Sequence, residues 1–314
     1  MSEVIRDVVM IGTGPSALAA AVYTTREDID TVLYERATIG GLAATTDMID
    51  NYPGFPDGVA GMELAGQFEK QATRFGAQID FGDATSIERD GEYLRVEVDG
   101  QPVKTRAVLV ATGSDYRKLG IPGEAELFGR GAHYCATCDG AFYKDRPLAV
   151  VGGGNSAVQE AIFLTRYASH IDLLVRSTVK ASEVLQEELQ KYVDQGRITV
   201  HLGAVPKEIV QKDGRAAGIV IDAGGQESTL AVDAVFIFVG LIPNSHVVEG
   251  SDVTLDEAGM IVTNERLETT MEGVFASGDV RSGAVRQVVS AAGEGAVVAL
   301  SIREYLDAMK RRGL

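Results

Sequence analysis

The 314-residue sequence predicts an α/β chain, on three observations. Short apolar runs rich in β-branched residues alternate with small-residue stretches of helical character. Two of these runs break into glycine clusters where strand gives way to helix. The clusters lie about 140 residues apart, too far for a solenoid repeat and suited to two separate domains.

The first copy opens with the strand Asp7 to Ile11, breaks at Gly12-Thr13-Gly14-Pro15-Ser16-Ala17, continues as a helix over Ala17 to Thr25 and ends in the strand Asp30 to Glu35. Alternating segments such as Tyr93 to Val98, followed by Asp99-Gly100, predict hairpins. The second copy runs from the strand Pro147 to Val151 through Gly152-Gly153-Gly154-Asn155-Ser156-Ala157, a helix over Ser156 to Ala168 and the strand Ile171 to Val175. Further strands are expected at Gly218 to Asp222 and Ala234 to Val239, and a helix at Val288 to Leu306. Lys310, Arg311 and Arg312 then complement the negative end of that helix.

Composition narrows the function. With 45% hydrophobic and 24% charged residues the chain is globular, and 36 Gly against 8 Pro favour tight turns over disorder. A net charge of -16 argues against nucleic acid and anionic lipid, both of which want a basic surface. No apolar run reaches membrane-span length. The stretch Val8 to Val22 resembles a signal-peptide core but lacks a basic flank, and it reads as mature structure. Two cysteines three positions apart are no secreted disulfide scaffold, so a cytoplasmic protein is expected.

Each glycine cluster carries a specific chemistry. In the first, Gly12 permits the turn, Gly14 lets backbone approach a pyrophosphate, and Ala17 allows the helix to sit close on its strand. The helix start at Pro15 and Ser16 offers free N–H groups and the positive dipole end to phosphates. Glu35, at the end of the next strand, is placed to accept from a ribose and to disfavour a 2′-phosphate. Spacing leaves FAD and NAD both open here. The second cluster repeats the logic at Gly152, Gly154, Asn155, Ser156 and Ala157, so two Rossmann-like dinucleotide units are expected.

Just before the second unit lies Cys135-Ala136-Thr137-Cys138-Asp139. Two intervening residues allow a small-ring disulfide that opens and closes with little backbone motion, and such pairs commonly hold one lowered thiol. Half a zinc site is the other use of this spacing, but His133, His170, His201 and His246 supply no matching pair, so no metal is expected. Asp139-Gly140 also reads as a turn dipeptide. His133 reads as a satisfied surface or turn residue, and Arg130 and Lys144 as solvated surface in place of a docking patch.

Two further strand ends, Val108 to Ser114 (VLVATGS) and Val274 to Val280 (VFASGDV), resemble those of the flavin domain of pyridine nucleotide-disulfide oxidoreductases. The segment Tyr134 to Phe142 (YCATCDGAF), with Asp50 to Pro56 (DNYPGFP) and Arg286-Gln287, resembles the low-molecular-weight thioredoxin reductases over nearly the whole chain. That resemblance implies two Rossmann-like three-layer ββα domains, the second inserted into the first. Residues 1–115 and 247–314 would bind FAD, and residues 116–246 would bind NAD(P)H and carry the cysteines.

The resemblance also implies roles. FAD would meet Gly12, Gly14, Pro15, Ser16, Ala17, Glu35, Gly41, Leu42, Asn51, Ala111, Thr112, Gly113, Gly278, Asp279, Arg286 and Gln287. Cys138 would lie near the flavin, Cys135 would attack the partner disulfide and Asp139 would act as general acid/base. Leu42 stands after Gly40-Gly41 where the family often has Gln, so one flavin hydrogen bond is missing or replaced. The implied partners are thioredoxin or a thioredoxin-like protein and a second copy of the chain. The inserted domain would rotate on hinges near Ser114 to Leu119 and Ile242 to His246.

At the second nucleotide site the sequence departs from the family. The family's His-Arg-Arg followed by a further Arg is reduced to Arg176, with Lys180 an imperfect stand-in. The missing acid still favours NADPH over NADH. An NADH-, ferredoxin- or flavin-carrier-driven relative, an oxidase on the same scaffold and a redox-sensing flavoprotein are the alternatives.

Overall fold

The computed structural model describes residues 4–46 and 48–314. The chain forms two compact units, Met1–Asp115 with Ile242–Leu314, and Tyr116–Leu241.

In the first unit, strand β1 (Ile5–Ile11) leads through the glycine turn into helix α1 (Pro15–Arg26) and strand β2 (Thr31–Glu35). Helices α2 (Gly41–Ala44) and α3 (Gly61–Arg74) precede strands β3 (Gln78–Phe81), β4 (Ala84–Asp90), β5 (Tyr93–Val98) and β6 (Gln101–Val110). The β5–β6 hairpin turns at Asp99 (φ 50°) and Gly100 (φ 73°), the two left-handed residues a two-residue turn of this kind needs. Strand β7 (Ser114–Tyr116) leaves the unit.

The second unit begins with strand β8 (Ala132–His133) and helix α4 (Ala136–Asp139). Strand β9 (Pro147–Val151), helix α5 (Asn155–Leu164) and strand β10 (His170–Val175) form its dinucleotide-type motif. Helix α6 (Glu183–Asp194), strands β11 (Ile198–Leu202), β12 (Ala204–Lys212), β13 (Arg215–Ala223), β14 (Gln226–Leu230) and β15 (Ala234–Ile237) complete it. Strand β16 (Leu241–Pro243) pairs with β7 as a two-stranded ribbon, and the chain ends with strand β17 (Val274–Ala276) and helix α7 (Val288–Arg311).

The sheet of the first unit runs β3-β2-β1-β6-β5-β4, with β17 also on β6. Strands β5 and β17 share one edge of β6, pairing its Gln101–Thr105 and Val108–Val110 portions respectively. Alternate residues of β1 serve opposite faces: Val8 and Met10 join the core beneath α1 and α7, and Val9 and Ile11 the core on the other side. The second unit has a five-stranded sheet β11-β10-β9-β15-β8, parallel at every pair. Leu148, Val150 and Phe236 face helix α5, while Val151, Val235 and Ile237 pack on Ile209, Ile219 and Ile221 of the antiparallel sheet β12-β13-β14. Helix, parallel sheet and antiparallel sheet are thus the three layers expected from sequence. Each fully buried aliphatic side chain contributes roughly 1.5–3 kcal/mol to holding them together.

Several bounds differ from the sequence reading. Helix α5 stops at Leu164, four residues short of Ala168, because Thr165, Arg166 and Tyr167 fold back onto Ile162, Phe163 and Leu164. Helix α7 extends beyond Leu306 to Arg311, with Met309 buried. The return to the first unit falls at Ile242, ahead of 247, because Asn244 is already bonded there: its N–H and side-chain amide donate to the carbonyls of Gly113 (3.0 Å) and Thr112 (3.1 Å).

Candidate active site

Both glycine turns show one division of labour. At Gly12 (φ 96°) an added Cβ would fall 2.6 Å from the Ala111 carbonyl oxygen, and at Gly152 (φ 141°) 2.3 Å from that of Phe238. These two glycines are demanded by the chain's own packing. Gly14 and Gly154 are different. They cap α1 and α5 with φ of -64° and -89°, which any residue adopts. A Cβ on Gly14 would meet nothing nearer than 4.0 Å, and one on Gly154 nothing within 4 Å. Folding does not require glycine at either position. A phosphate group seated on each helix N-terminus would, so both turns fit a dinucleotide. Ala17 and Ala157 are fully buried and let each helix lie close to its sheet.

Around the first turn, Ser16 Oγ lies 2.5 Å from Ser277 Oγ, joining α1 to the strand end that precedes Gly278. Glu35 differs from its expected posture. Its carboxylate is buried and accepts from the Thr13 N–H (3.0 Å), the Thr13 hydroxyl (2.6 Å) and the Ala37 N–H (2.8 Å). Of roughly four lone-pair sites, three are thus held by the chain itself. Glu35 thus fastens the glycine turn and keeps one lone-pair site unused by these bonds. A Cβ on Gly41 (φ 56°) would meet the Gly14 Cα at 3.9 Å, and Leu42 is exposed.

The structure brings together Asn51 and Gln287, 236 residues apart in sequence, through a 3.0 Å bond from the Asn51 side-chain amide to Gln287 Oε1. Arg286 sits beside them in a left-handed conformation (φ 62°), uncommon for a side chain of its size. Burial pushes the Asp279 carboxyl up to about 6, against the charge of Arg286 and with that of Glu294. Ala111, Thr112 and Gly113 lie at the end of β6, where the Thr112 hydroxyl donates to the Asn244 carbonyl (2.6 Å). Thr112 and Gly113 therefore anchor the returning chain as well as lining the turn.

Two residues missed by the sequence reading support this region. Glu294 accepts from the Gly278 N–H (2.7 Å) and holds Arg281 at 2.5 Å, both of them little exposed. It is the sole charge in the first three turns of an otherwise small and apolar helix, a signal the sequence did contain. Asn244 lies in the Ile242 to His246 segment expected as a hinge, but its anchoring bonds carried no such mark.

In the second unit, Cys135 and Cys138 form a disulfide. Cys135 caps α4, its Sγ accepting from the Cys138 N–H at 3.2 Å. Among the described residues no cluster of His, Cys, Asp and Glu could hold a metal ion. His133 corrects the sequence reading. It is buried, 3% exposed, between Phe236, on which its ring stacks at 5.1 Å, and two polar partners. Its Nδ1 lies 3.1 Å from Asp139 Oδ2 and its Nε2 2.7 Å from the Tyr143 hydroxyl. The residues that bury it come from β15 and from the 3-10 turn Gly140–Tyr143, beyond reach of local patterning. Arg130 donates to the Glu126 carbonyl, and Lys144 is exposed.

Beyond β10, Arg176 and Lys180 are exposed. The loop that carries them is tied to the glycine turn at two points: the Lys180 N–H donates to the Gly153 carbonyl (2.6 Å), and the Ser182 N–H to Asn155 Oδ1 (2.8 Å). The backbone at Lys180 and Ser182 is therefore held at the glycine turn that leads into α5.

Comparison with known proteins agrees with this architecture. The family model for pyridine nucleotide-disulphide oxidoreductases matches residues 6–295. The chain is 40% identical to thioredoxin reductase of Bacillus subtilis (strain 168), over 98% of its own length and 97% of that protein's. It is 38% identical to NADPH-dependent thioredoxin reductase 3 of Arabidopsis thaliana, over 97% of its own length and 59% of that protein's. The crystal structure of thioredoxin reductase from Streptococcus pyogenes MGAS5005 superposes with a TM-score of 0.91 at 35% identity, covering 98% of this chain and 100% of that one. With two glycine-opened Rossmann-like units and a cysteine pair between the two glycine turns in sequence, the chain belongs to the pyridine nucleotide-disulphide oxidoreductase family.

Proposed function

We propose that the chain takes electrons from NADPH, by way of bound FAD, to the Cys135–Cys138 disulfide and from the resulting dithiol to a thioredoxin-like protein. The observation that carries this reading is the Cys135–Cys138 disulfide at the head of α4, in a chain with two fold-neutral glycines at helix N-termini. Flavin, when bound, supplies the junction between two-electron hydride chemistry and thiol chemistry.

The first unit would hold FAD. Gly12, Gly14, Pro15, Ser16 and Ala17 form the pyrophosphate turn, and Glu35 offers its remaining lone pair to the ribose. Gly278 and Asp279 meet the ribityl and phosphate region. Asn51 and Gln287 reach the ring, with Gly41, Leu42, Ala111, Thr112, Gly113 and Arg286 around them. The second unit would hold NADPH on Gly152, Gly154, Asn155, Ser156 and Ala157. Arg176 and Lys180 would supply positive charge for the 2′-phosphate, and no acid stands at the end of β10 to oppose it.

At the cysteines, Cys135 is the attacking thiol toward the partner and Cys138 the flavin-side thiol. Asp139 exchanges a proton with the pair as it opens and closes. The cytoplasm is the proposed site of action. Among the described residues no helix is long and apolar enough to cross a membrane. Val289, Val297 and Leu300 on α7 are large, exposed and apolar, and they support the homodimer. Sedimentation at the mass of one chain would remove it.

The function is tested by anaerobic titration of the flavin with NADPH and NADH, alongside Cys138→Ser. NADPH bleaches the flavin at lower concentration than NADH. The variant keeps its flavin and loses reduction of the partner disulfide. Full thioredoxin reduction by Cys138→Ser would sink the dithiol path, and failure of both nucleotides to bleach the flavin would replace the donor.

A further inference from the structure

A carboxyl group that passes a proton to or from a thiol works best beside a second group that holds it in place and shares that proton. The structure supplies one. His133 Nδ1 is 3.1 Å from Asp139 Oδ2, and its Nε2 is 2.7 Å from the Tyr143 hydroxyl. The imidazole side chain is 4% exposed and the carboxyl 22%, so the ring is sealed while the acid keeps a path to solvent. Stacking on Phe236 at 26° between planes fixes the ring's orientation.

The hydrogen bonds set the tautomer. An ionised carboxylate only accepts, so Nδ1 carries the proton, and the Tyr143 hydroxyl donates to Nε2. Burial, with the charge of Asp139 adding, pushes the Tyr143 phenol up to about 12, so it stays a neutral hydroxyl. A hydroxyl can also turn and accept, which lets Nε2 carry a proton without losing its partner. The charges that reach Tyr143 from other elements are Arg215 on β13 and Asp233 before β15. Arg146 in turn lies 3.4 Å from Asp233.

We propose that His133 is a positioning residue for proton transfer at the cysteine pair: it holds the Asp139 carboxyl from Nδ1 while Tyr143 satisfies Nε2, so that imidazole and carboxyl together store one exchangeable proton. When the Cys135–Cys138 bond opens, an electron pair from the proposed flavin enters the disulfide, the S–S bond breaks, and the departing thiolate takes through the Asp139 carboxyl the additional proton held when both ring nitrogens are protonated, leaving neutral imidazole and carboxylate. When the dithiol reacts, the thiol returns its proton to the pair. Its sulfur bonds to one sulfur of the partner disulfide, and the partner's other sulfur leaves as thiolate. The proposal rests on the reading of Asp139 as acid/base given above, and it adds the group that holds that carboxyl and shares its proton.

The test uses holoenzyme reduced anaerobically with dithiothreitol, desalted and mixed with a small aromatic disulfide whose released thiolate is coloured. Rates are followed from about pH 6 to 9. His133→Phe keeps an aromatic ring against Phe236 and removes both nitrogens. His133→Asn keeps an N–H for the carboxyl and cannot titrate. Near pH 7, His133→Phe reacts about tenfold more slowly than the parent and His133→Asn falls between them, less than the roughly 100-fold or more of a direct acid–base group because His133 acts through Asp139. Near pH 9 all three converge to within about twofold, because thiols of ordinary pKa, about 8.5, ionise there without help. A deficit that stays the same at every pH, or no deficit, overturns the proposal. If His133→Phe does not fold, the pH dependence of His133→Asn decides alone. Asp139→Asn separates the two levels: parental rates near pH 7 would remove Asp139 itself. A loss of about 100-fold, together with parental pH dependence in the His133 variants, would remove only the role of His133.

Discussion

Asp279→Asn, made in flavin-free protein, separates the cost of a buried charge from the benefit of the ligand it awaits. Burial is the larger cause of the raised Asp279 pKa, Glu294 adds to it and Arg286 opposes it, giving a folded-state value of about 6 against an ordinary 3.8. A raised carboxyl pKa means that the folded chain binds the proton more tightly than the unfolded chain. Stability is then greatest below the ordinary value and falls as pH rises through the folded one. The gap of about two pH units, at about 1.4 kcal/mol each, is worth about 3 kcal/mol, of which about 2 develops between pH 4.5 and 7.5. Asparagine has no charge to desolvate. Urea unfolding at the two pH values compares the variant with the parent, so that all other titrating groups cancel. The variant gains about 2 kcal/mol on the parent between them. The same substitution weakens retention of FAD, read as flavin lost on dilution. A stability difference independent of pH would refute the argument.

Two further substitutions probe the frame of the site. An added Cβ on Gly295 of α7 would fall 2.3 Å from the Ser16 carbonyl oxygen and 2.8 Å from the Ala19 Cβ, so Gly295→Ala separates α7 from α1. Thermal unfolding should show a loss of about 1–3 kcal/mol, as for overpacked cores, and an unchanged midpoint would deny the close approach. Glu35→Gln replaces an acceptor of three donors by a side chain whose NH2 must face one of them. It costs about 1–3 kcal/mol and loosens flavin, and equal stability by urea titration would mean that the Thr13 bonds do not hold the turn.

What could be read from sequence was what is written locally. Gly12 and Gly152 announce their turns because a chain that changes from strand to helix in a few residues must use left-handed, close-packed positions there, and Gly14 and Gly154 announce room for a phosphate that the fold itself does not require. The Asp99-Gly100 hairpin is of the first kind. Roles set by distant partners were hidden. His133 lies in a two-residue strand, too short to show alternation, and Phe236, which stacks on it, is about 100 residues away. Asn244 sits 132 residues from the Thr112 carbonyl it binds, and its segment reads from sequence only as a hinge, not as an anchor. Glu35 was placed correctly at the end of its strand. Its attachment to Thr13, 22 residues earlier, shows that a recognised motif position can also serve the fold.

The order of elements along the chain has a consequence for synthesis. Strand β17 covers the Val108–Val110 edge of β6, and α7 covers α1, yet both are made after the whole of Tyr116–Leu241. At about 5–20 residues per second, the ribosome leaves that edge and that helix face uncovered for on the order of ten seconds or more. During this interval the second unit, whose sheet is contiguous in sequence, can complete itself. The first unit's six early strands must meanwhile wait without β17 and α7, the stretch of the chain's life in which a chaperone has most to protect.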